Sequence, residues 1–196
     1  TSVVGPTSVM AKPMNRFFNY GQGSAAPVDF ENPNTKIFEK LDGTLCILYW
    51  DKFLMTWCVG TRSVPDADLP MDGFGDQTFS DLFWKAFAAS GGTLSGLDYA
   101  QGHMSFCFEL CTPDNQIVVA YPDYKVYLLA AISLVDCTED APSGWKEQIG
   151  VELAPTFSLG SVNEMLDFVS SREPTKFEGV VVCDPLFRRV KMKNAG

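Results

Sequence analysis

The chain has 196 residues, 46% of them hydrophobic, 13% aromatic and 20% charged, which is enough apolar material for one packed domain and leaves no block of like charge to suggest a disordered tail. Its formal net charge of −9 excludes a surface that embraces nucleic acid on all sides but leaves room for a local basic cleft. The longest apolar run, residues 126 to 135, is too short to cross a bilayer and reads as a buried strand.

The opening "TSVVGPTSVM" has no initiator methionine and no basic segment leading into an apolar run. No secretory leader is therefore expected, and the chain reads as a piece cut from a longer protein. The first 35 residues are rich in Gly, Pro, Ser and Asn and contain one aromatic knot, "NRFFNYGQG". Strand-like patterning begins at 36 with "KIFEK", then "TLCILYW" and "FLMTWCVG", which a tight hairpin through Asp51 and Lys52 would join. The spacing of Phe79, Leu82, Phe83, Ala86 and Phe87 predicts a helix over 78–90 that Gly91 and Gly92 end. Three strands are predicted next, "MSFCFEL", "QIVVAY" and "KVYLLAAISLV", with "PDN" at 113–115 turning the first into the second. A second helix over 161–172 opens with a capping box of Ser161 and Glu164. The chain closes with "FEGVVVC", the turn "DPLF" and "RRVKMK". The pattern is that of an α+β domain of antiparallel sheets flanked by helices.

The six cysteines form no CxxC pair and no Cys/His cluster of zinc spacing. Most lie in apolar runs and read as reduced core residues of an intracellular protein, in cytoplasm or nucleus. The one histidine, His103, has no evident metal partner. Ser-His-Asp and Cys-His chemistry is not expected.

The segments that carry chemistry are few. Lys40-Leu41-Asp42-Gly43, taken alone, is what the polar face of any strand produces. In "RRVKMKN" alternation puts Lys191 and Lys193 on one face and Val190 and Met192 on the other, the form of a phosphate clamp or of a lysine-guarded edge strand. Glu178 precedes a glycine and a run fit for a buried strand, and the next turn brings the chain back into the lysine strand. Glu109 lies inside the apolar run "MSFCFELC"; a buried carboxylate requires a cation, a ligand hydroxyl or a metal. Arg62 closes the strand that ends in "TRS".

In this order the pieces resemble the motifs of the covalent nucleotidyltransferases, the superfamily of ATP-dependent DNA and RNA ligases and mRNA capping enzymes. Residues 40–43 look like the nucleotidylation motif KxDG, "TRS" like the basic motif after it, with Ser63 where a glycine is common, and "FCFEL", "FEGVVV" and "VKMK" like the third, fourth and fifth motifs. Two longer stretches, "AKPMNRFFNYGQG" and "FELCTPDNQIVVAY", are similar to the RNA ligase 1 type of phage, fungal and viral tRNA-repair enzymes. The resemblance implies an ATP-grasp-like ligase adenylation domain in which Lys40 attacks the α-phosphate of ATP. A lysine amine, ordinarily titrating near 10.4, must lose its proton first, and Lys191 and Lys193 would supply cations that favour this and stabilise charge on the phosphate.

By the same resemblance Glu178 would hold Mg²⁺ or Mn²⁺. Glu109 and Arg62 would hold the ribose, Arg16 would lie near the phosphates, and Glu39 could accept from the adenine amino group. Asp42 would act structurally or electrostatically, and Gly43 would let the chain approach the nucleotide. AMP would then pass from Lys40 to an RNA 5′-phosphate for sealing to a 3′-hydroxyl, in RNA repair or tRNA splicing. The expected partners are ATP and RNA ends, with no membrane and a monomer as the default. Residues 1–196 would form a single adenylyltransferase domain, a fragment without the upstream Arg-Gly of the family or its further RNA-engaging domain. A capping guanylyltransferase using GTP and a non-catalytic binding module of the same fold are the alternatives.

Overall fold

The computed structural model describes residues 9–62, 64–65, 67–68 and 76–194, and two five-stranded sheets form its frame. One sheet is built from β1 (Phe18–Asn19), β2 (Lys36–Glu39), β8 (Thr156–Phe157), β9 (Gly179–Cys183) and β10 (Arg189–Lys193), in the order β1-β10-β9-β2-β8. The other holds β3 (Thr44–Asp51), β4 (Thr56–Thr61), β5 (Met104–Cys111), β6 (Lys125–Ser133) and β7 (Glu139–Asp140), in the order β4-β3-β5-β6-β7. Every pairing is antiparallel except β1 with β10. Among the described residues three α-helices accompany them, α1 (Phe79–Ala89), α2 (Ser143–Ile149) and α3 (Val162–Ser170). None of the helices among the described residues is long and apolar enough to cross a membrane.

Each sheet buries one face under a helix. Leu82, Phe83 and Phe87 of α1 pack with Leu48, Phe106 and Phe108 of β3 and β5. Met165 and Val169 of α3 pack with Val180, Val182, Val190 and Met192 of β9 and β10. The alternation read from "RRVKMK" therefore has its cause in α3, which takes the apolar face and leaves Arg189, Lys191 and Lys193 on the other. Ile47, Cys107, Ala130 and Ile132 make a further small core with Met14 and Leu129 on the opposite face of the second sheet. β5 is thus covered on both faces, which is why its sequence runs apolar without period.

The predicted strand over 116–121 does not form. Thr112 caps a short 3-10 turn at Pro113–Asn115, and the chain continues as an irregular strap with Ile117 and Val118 exposed and Val119 buried. The strap's amides are used elsewhere: the Val118 and Val119 N–H groups both donate to the Asp42 carboxylate at 2.7 Å, so no ladder is left for them to join. The hairpin between β3 and β4 is also longer than expected. Residues 52–55 form its loop, Asp51 accepts from the amides of Phe53 and Leu54, and Met55 takes a positive φ of 53°. At α3, Ser161 caps the Glu164 amide as predicted, but the Glu164 side chain accepts from Gly160 rather than closing the box on Ser161. The six cysteines are free; Cys46, Cys107, Cys111 and Cys183 are buried, whereas Cys137 is exposed.

Candidate active site

β2 ends at Glu39, and the chain crosses from the first sheet to the second through residues 40–43. The Lys40 amide donates to the Gly179 carbonyl at 2.9 Å, which ties the start of this crossing to the start of β9. Gly179 has a φ of 149°, and a Cβ there would stand 2.1 Å from the Met192 carbonyl oxygen. Only glycine lets β9 begin so close to β10. Glu178, just before it, is consequently delivered to the end of β10, where its carboxylate pairs with the Lys40 ammonium through one oxygen and with Lys193 Nζ at 2.8 Å through the other. Lys191 faces the same space, its Nζ 5.8 Å from the centre of the Phe17 ring. Burial lowers the Lys191 pKa below the ordinary lysine value, and the cations Lys193 and Lys40 lower it further.

Asp42 points away from this cluster. It is buried and, besides holding the strap, its own amide donates to the Tyr121 hydroxyl at 2.9 Å. Its role in the structure is to anchor residues 116–121 beneath the crossing. Gly43 also has a local cause, different from the expected approach to a nucleotide: a Cβ would meet the Leu110 carbonyl oxygen at 2.2 Å. Since Thr44 already pairs with Leu110, the backbone cannot retreat. Gly43→Ala is expected to cost about 3 kcal/mol of stability, measurable by denaturant unfolding; a variant within 0.5 kcal/mol of the parent would show that the crossing is free to move.

Glu109 lies on β5 directly below the crossing, and Oε1 accepts from the Gly43 amide at 3.1 Å. Burial pushes its pKa up to about 7, against the lowering effects of Lys40 and the Gly43 N–H. Above it opens a cleft of about 1070 Å³ whose walls carry Lys12, Arg16, Lys40, Arg62, Glu109 and Lys191. Arg62 is exposed at the end of β4 and Arg16 stacks 5.2 Å from the Phe18 ring; Ser63 lies outside the described residues. A narrower apolar slot of about 300 Å³ runs between the two sheets, with Phe38, Leu129 and Val181 in its walls and Glu39 and Arg189 among its few charged residues. Met14, Phe17 and Leu129 line both spaces, so slot and cleft share one wall. Burial raises the pKa of Glu39.

The structure thus brings Lys40, Glu178, Lys193, Lys191 and Glu109 to one place, with Arg16 and Arg62 on the cleft walls. Glu39 belongs to the slot instead, and Asp42 to the scaffold. Sequence reasoning missed Lys12, Phe17 and the slot itself. Lys12 is held by two hydrogen bonds between its backbone and the Ser105 hydroxyl, 93 positions away, a relation no local pattern reveals. Among the described residues no group of three or more His, Cys, Asp or Glu could hold a metal ion.

A family model described as RNA ligase matches residues 2–195. An RNA ligase of Rhodothermus phage RM378 is 28% identical over 199 residues, which cover 84% of this chain and 42% of the relative. Among solved structures, a Naegleria gruberi RNA ligase variant with AMP and Mn aligns with a TM-score of 0.60 at 15% identity, covering 82% of this chain and 49% of that one. An archaeal ATP-dependent RNA ligase aligns with a TM-score of 0.59 at 15% identity, covering 82% and 42%. At these identities the structural matches establish a shared fold, and the chain spans about half the length of the proteins it matches.

Proposed function

The chain belongs to the RNA ligase family, and from that premise we propose that it is the adenylyltransferase unit of an ATP-dependent RNA ligase, with Lys40 as the nucleophile. The observation that carries this reading is the pairing of Glu178 with both Lys193 and Lys40, the latter on the wall of a cation-lined cleft that adjoins an apolar slot. The slot suits a flat purine, with Leu129 and Val181 on its walls and Glu39 able to accept from an exocyclic amino group. Adenine carries its amino group at the 6-position, where guanine has a carbonyl and its amino group stands at the 2-position instead; with Glu39 assigned to the 6-edge, this reading favours ATP over GTP. Glu109 and Arg62 are assigned to the ribose, and Arg16, Lys191 and Lys193 to the phosphates.

In the reaction, the Lys40 amine attacks the α-phosphorus; the new N–P bond forms as the bond to pyrophosphate breaks, and the lysine proton leaves to solvent or to a neighbouring base. Lys191 is fitted to the charge that grows on the α-phosphate oxygens, because its position on the β10 face requires no reorganisation. The donor set fits a divalent ion held by one carboxylate and by substrate phosphates, the way Mg²⁺ is usually bound, with Glu178 as that carboxylate. Such an ion, Mg²⁺ or the Mn present in the Naegleria gruberi structure, would neutralise the triphosphate and orient pyrophosphate. Glu178 would at the same time be drawn from Lys40, which frees the amine from its ion-pair partner. The acceptor in this reading is an RNA 5′-phosphate, later sealed to a 3′-hydroxyl; RNA repair or tRNA splicing as the setting rests on the motif resemblance alone.

The test is intact mass after incubation with ATP and Mg²⁺, beside a GTP sample. One AMP gained from ATP and nothing from GTP is expected. A GMP adduct would transfer the reading to capping chemistry, and no adduct with either nucleotide would leave a module that does not react.

A further inference from the structure

We propose that the buried ion pair between Arg189 and Glu139 is a positioning device for nucleotidyl transfer, setting the separation of the two sheets behind the base slot and through it the aim of Lys191. Glu139 lies on β7, paired with Ile132 at the edge of the second sheet, and Arg189 opens β10, paired with Cys183 in the first. The guanidinium meets the carboxylate through both forks: Nη1 donates to Oε2 at 2.8 Å and Nη2 donates to Oε1. Nη1 also reaches the Phe187 carbonyl at 3.3 Å. The two side chains are only 8% and 10% exposed.

Stability does not account for such a pair. The desolvation of two buried charges offsets most of their attraction, and an apolar pair of similar volume commonly serves as well or better. What the planar fork supplies and an apolar contact does not is a fixed distance and direction. That constraint acts at a telling place. Arg189 lines the slot, and Lys191 follows two residues later on the same face of the strand, since Val190 and Met192 are committed to the core under α3. A shift of β10 relative to the second sheet would change both the slot width between Val181 and Leu129 and the direction of the Lys191 ammonium. Displacements of about 1 Å in a site of this kind cost on the order of 10²-fold in rate.

The rate arm of the test rests on the ligase reading; a second arm does not. Glu139→Leu combined with Arg189→Met removes both charges, and its melting temperature is expected to stay near that of the parent. Its single-turnover self-adenylylation at saturating ATP should fall about 10²-fold. In parallel, competitive acylation of the lysine amines with acetic anhydride across pH, read by peptide mass, reports the titration of Lys191 without nucleotide. Lys191 titrates below the ordinary lysine value in the parent and is expected to return toward it in the double variant. If the parent takes up no AMP, the proposed function fails while the acylation arm still decides the inference. Should the double variant not fold, Arg189→Lys keeps the charge and loses the fork, with about a 10-fold loss of rate and the same direction of change at Lys191. A folded variant with unaltered Lys191 titration overturns the proposal, as does a parental rate in a protein that labels.

Discussion

Lys40→Ala is expected to abolish the AMP adduct while leaving the fold almost as stable as the parent. The chemical half of this expectation follows from position. Lys40 enters the crossing under the control of the Gly179 carbonyl, and among the described residues no other lysine is anchored at that point: Lys193 is held by Glu178 from β10, and Lys191 projects from the strand face beside Phe17. Both amines are carried by a strand whose backbone is fixed in the β9–β10 ladder, in which Lys191 opposes Val181 and Lys193 opposes Gly179. The stability half follows from Glu178. Removing one partner of a largely buried pair usually strands the other charge, but Glu178 keeps Lys193 at 2.8 Å, so the loss should be about 1 kcal/mol. ATP should still bind, since the slot is untouched and Lys12, Arg16, Arg62 and Lys191 remain on the cleft walls. Intact mass and a thermal melt of the same sample check both halves; an adduct of parental yield on the variant would mean that another residue carries the nucleotide.

Much of this site was legible because its chemistry lies in short, continuous stretches. Lys40 and Glu178 each sit at an element boundary, and in the lysine strand Val190 and Met192, the apolar partners that fix the facing of Lys191 and Lys193, alternate with them in the chain. α1 was legible for a similar local reason: Thr78 and Asp81 exchange hydrogen bonds across its first turn, and its apolar stripe has one sheet to meet. The strap over 116–121 was misread because its composition is that of a strand, while the deciding contact, Asp42 with the amides of Val118 and Val119, spans more than seventy positions. Tertiary demand overrode local preference there. Gly43 and Gly179 show another kind of illegibility. Their presence in the motifs is visible, yet the cause is a carbonyl from a neighbouring strand in each case. The slot is invisible at the sequence level because no one segment makes it: Phe38, Leu129 and Val181 come from both sheets.

Glu109→Gln is expected to raise stability and lower activity together, and the pH dependence of the first effect identifies its origin. Burial raises the folded-state pKa of Glu109 to about 7 from an ordinary value of 4.5. A carboxyl with a raised pKa binds its proton more tightly in the folded state than in the unfolded one. The folded protein therefore loses stability as pH climbs from about 4.5 to about 7, and the penalty is constant above that. A difference of this size corresponds to roughly 3–4 kcal/mol well above neutrality. Glutamine carries no charge to desolvate and still offers Oε1 to the Gly43 amide, so the variant should match the parent near pH 4 and exceed it at pH 8. The activity moves the other way. A carboxylate accepting from ribose hydroxyls makes charge-assisted hydrogen bonds worth about 1.5–3 kcal/mol, and their loss predicts self-adenylylation slower by about 10- to 100-fold at subsaturating ATP. Denaturant melts of both proteins at pH 4, 6 and 8, with labelling rates at pH 8, make the comparison. A stability difference independent of pH would show that Glu109 is not strained by its burial, and the acid would then have to be assigned to the scaffold with Asp42 rather than to the nucleotide.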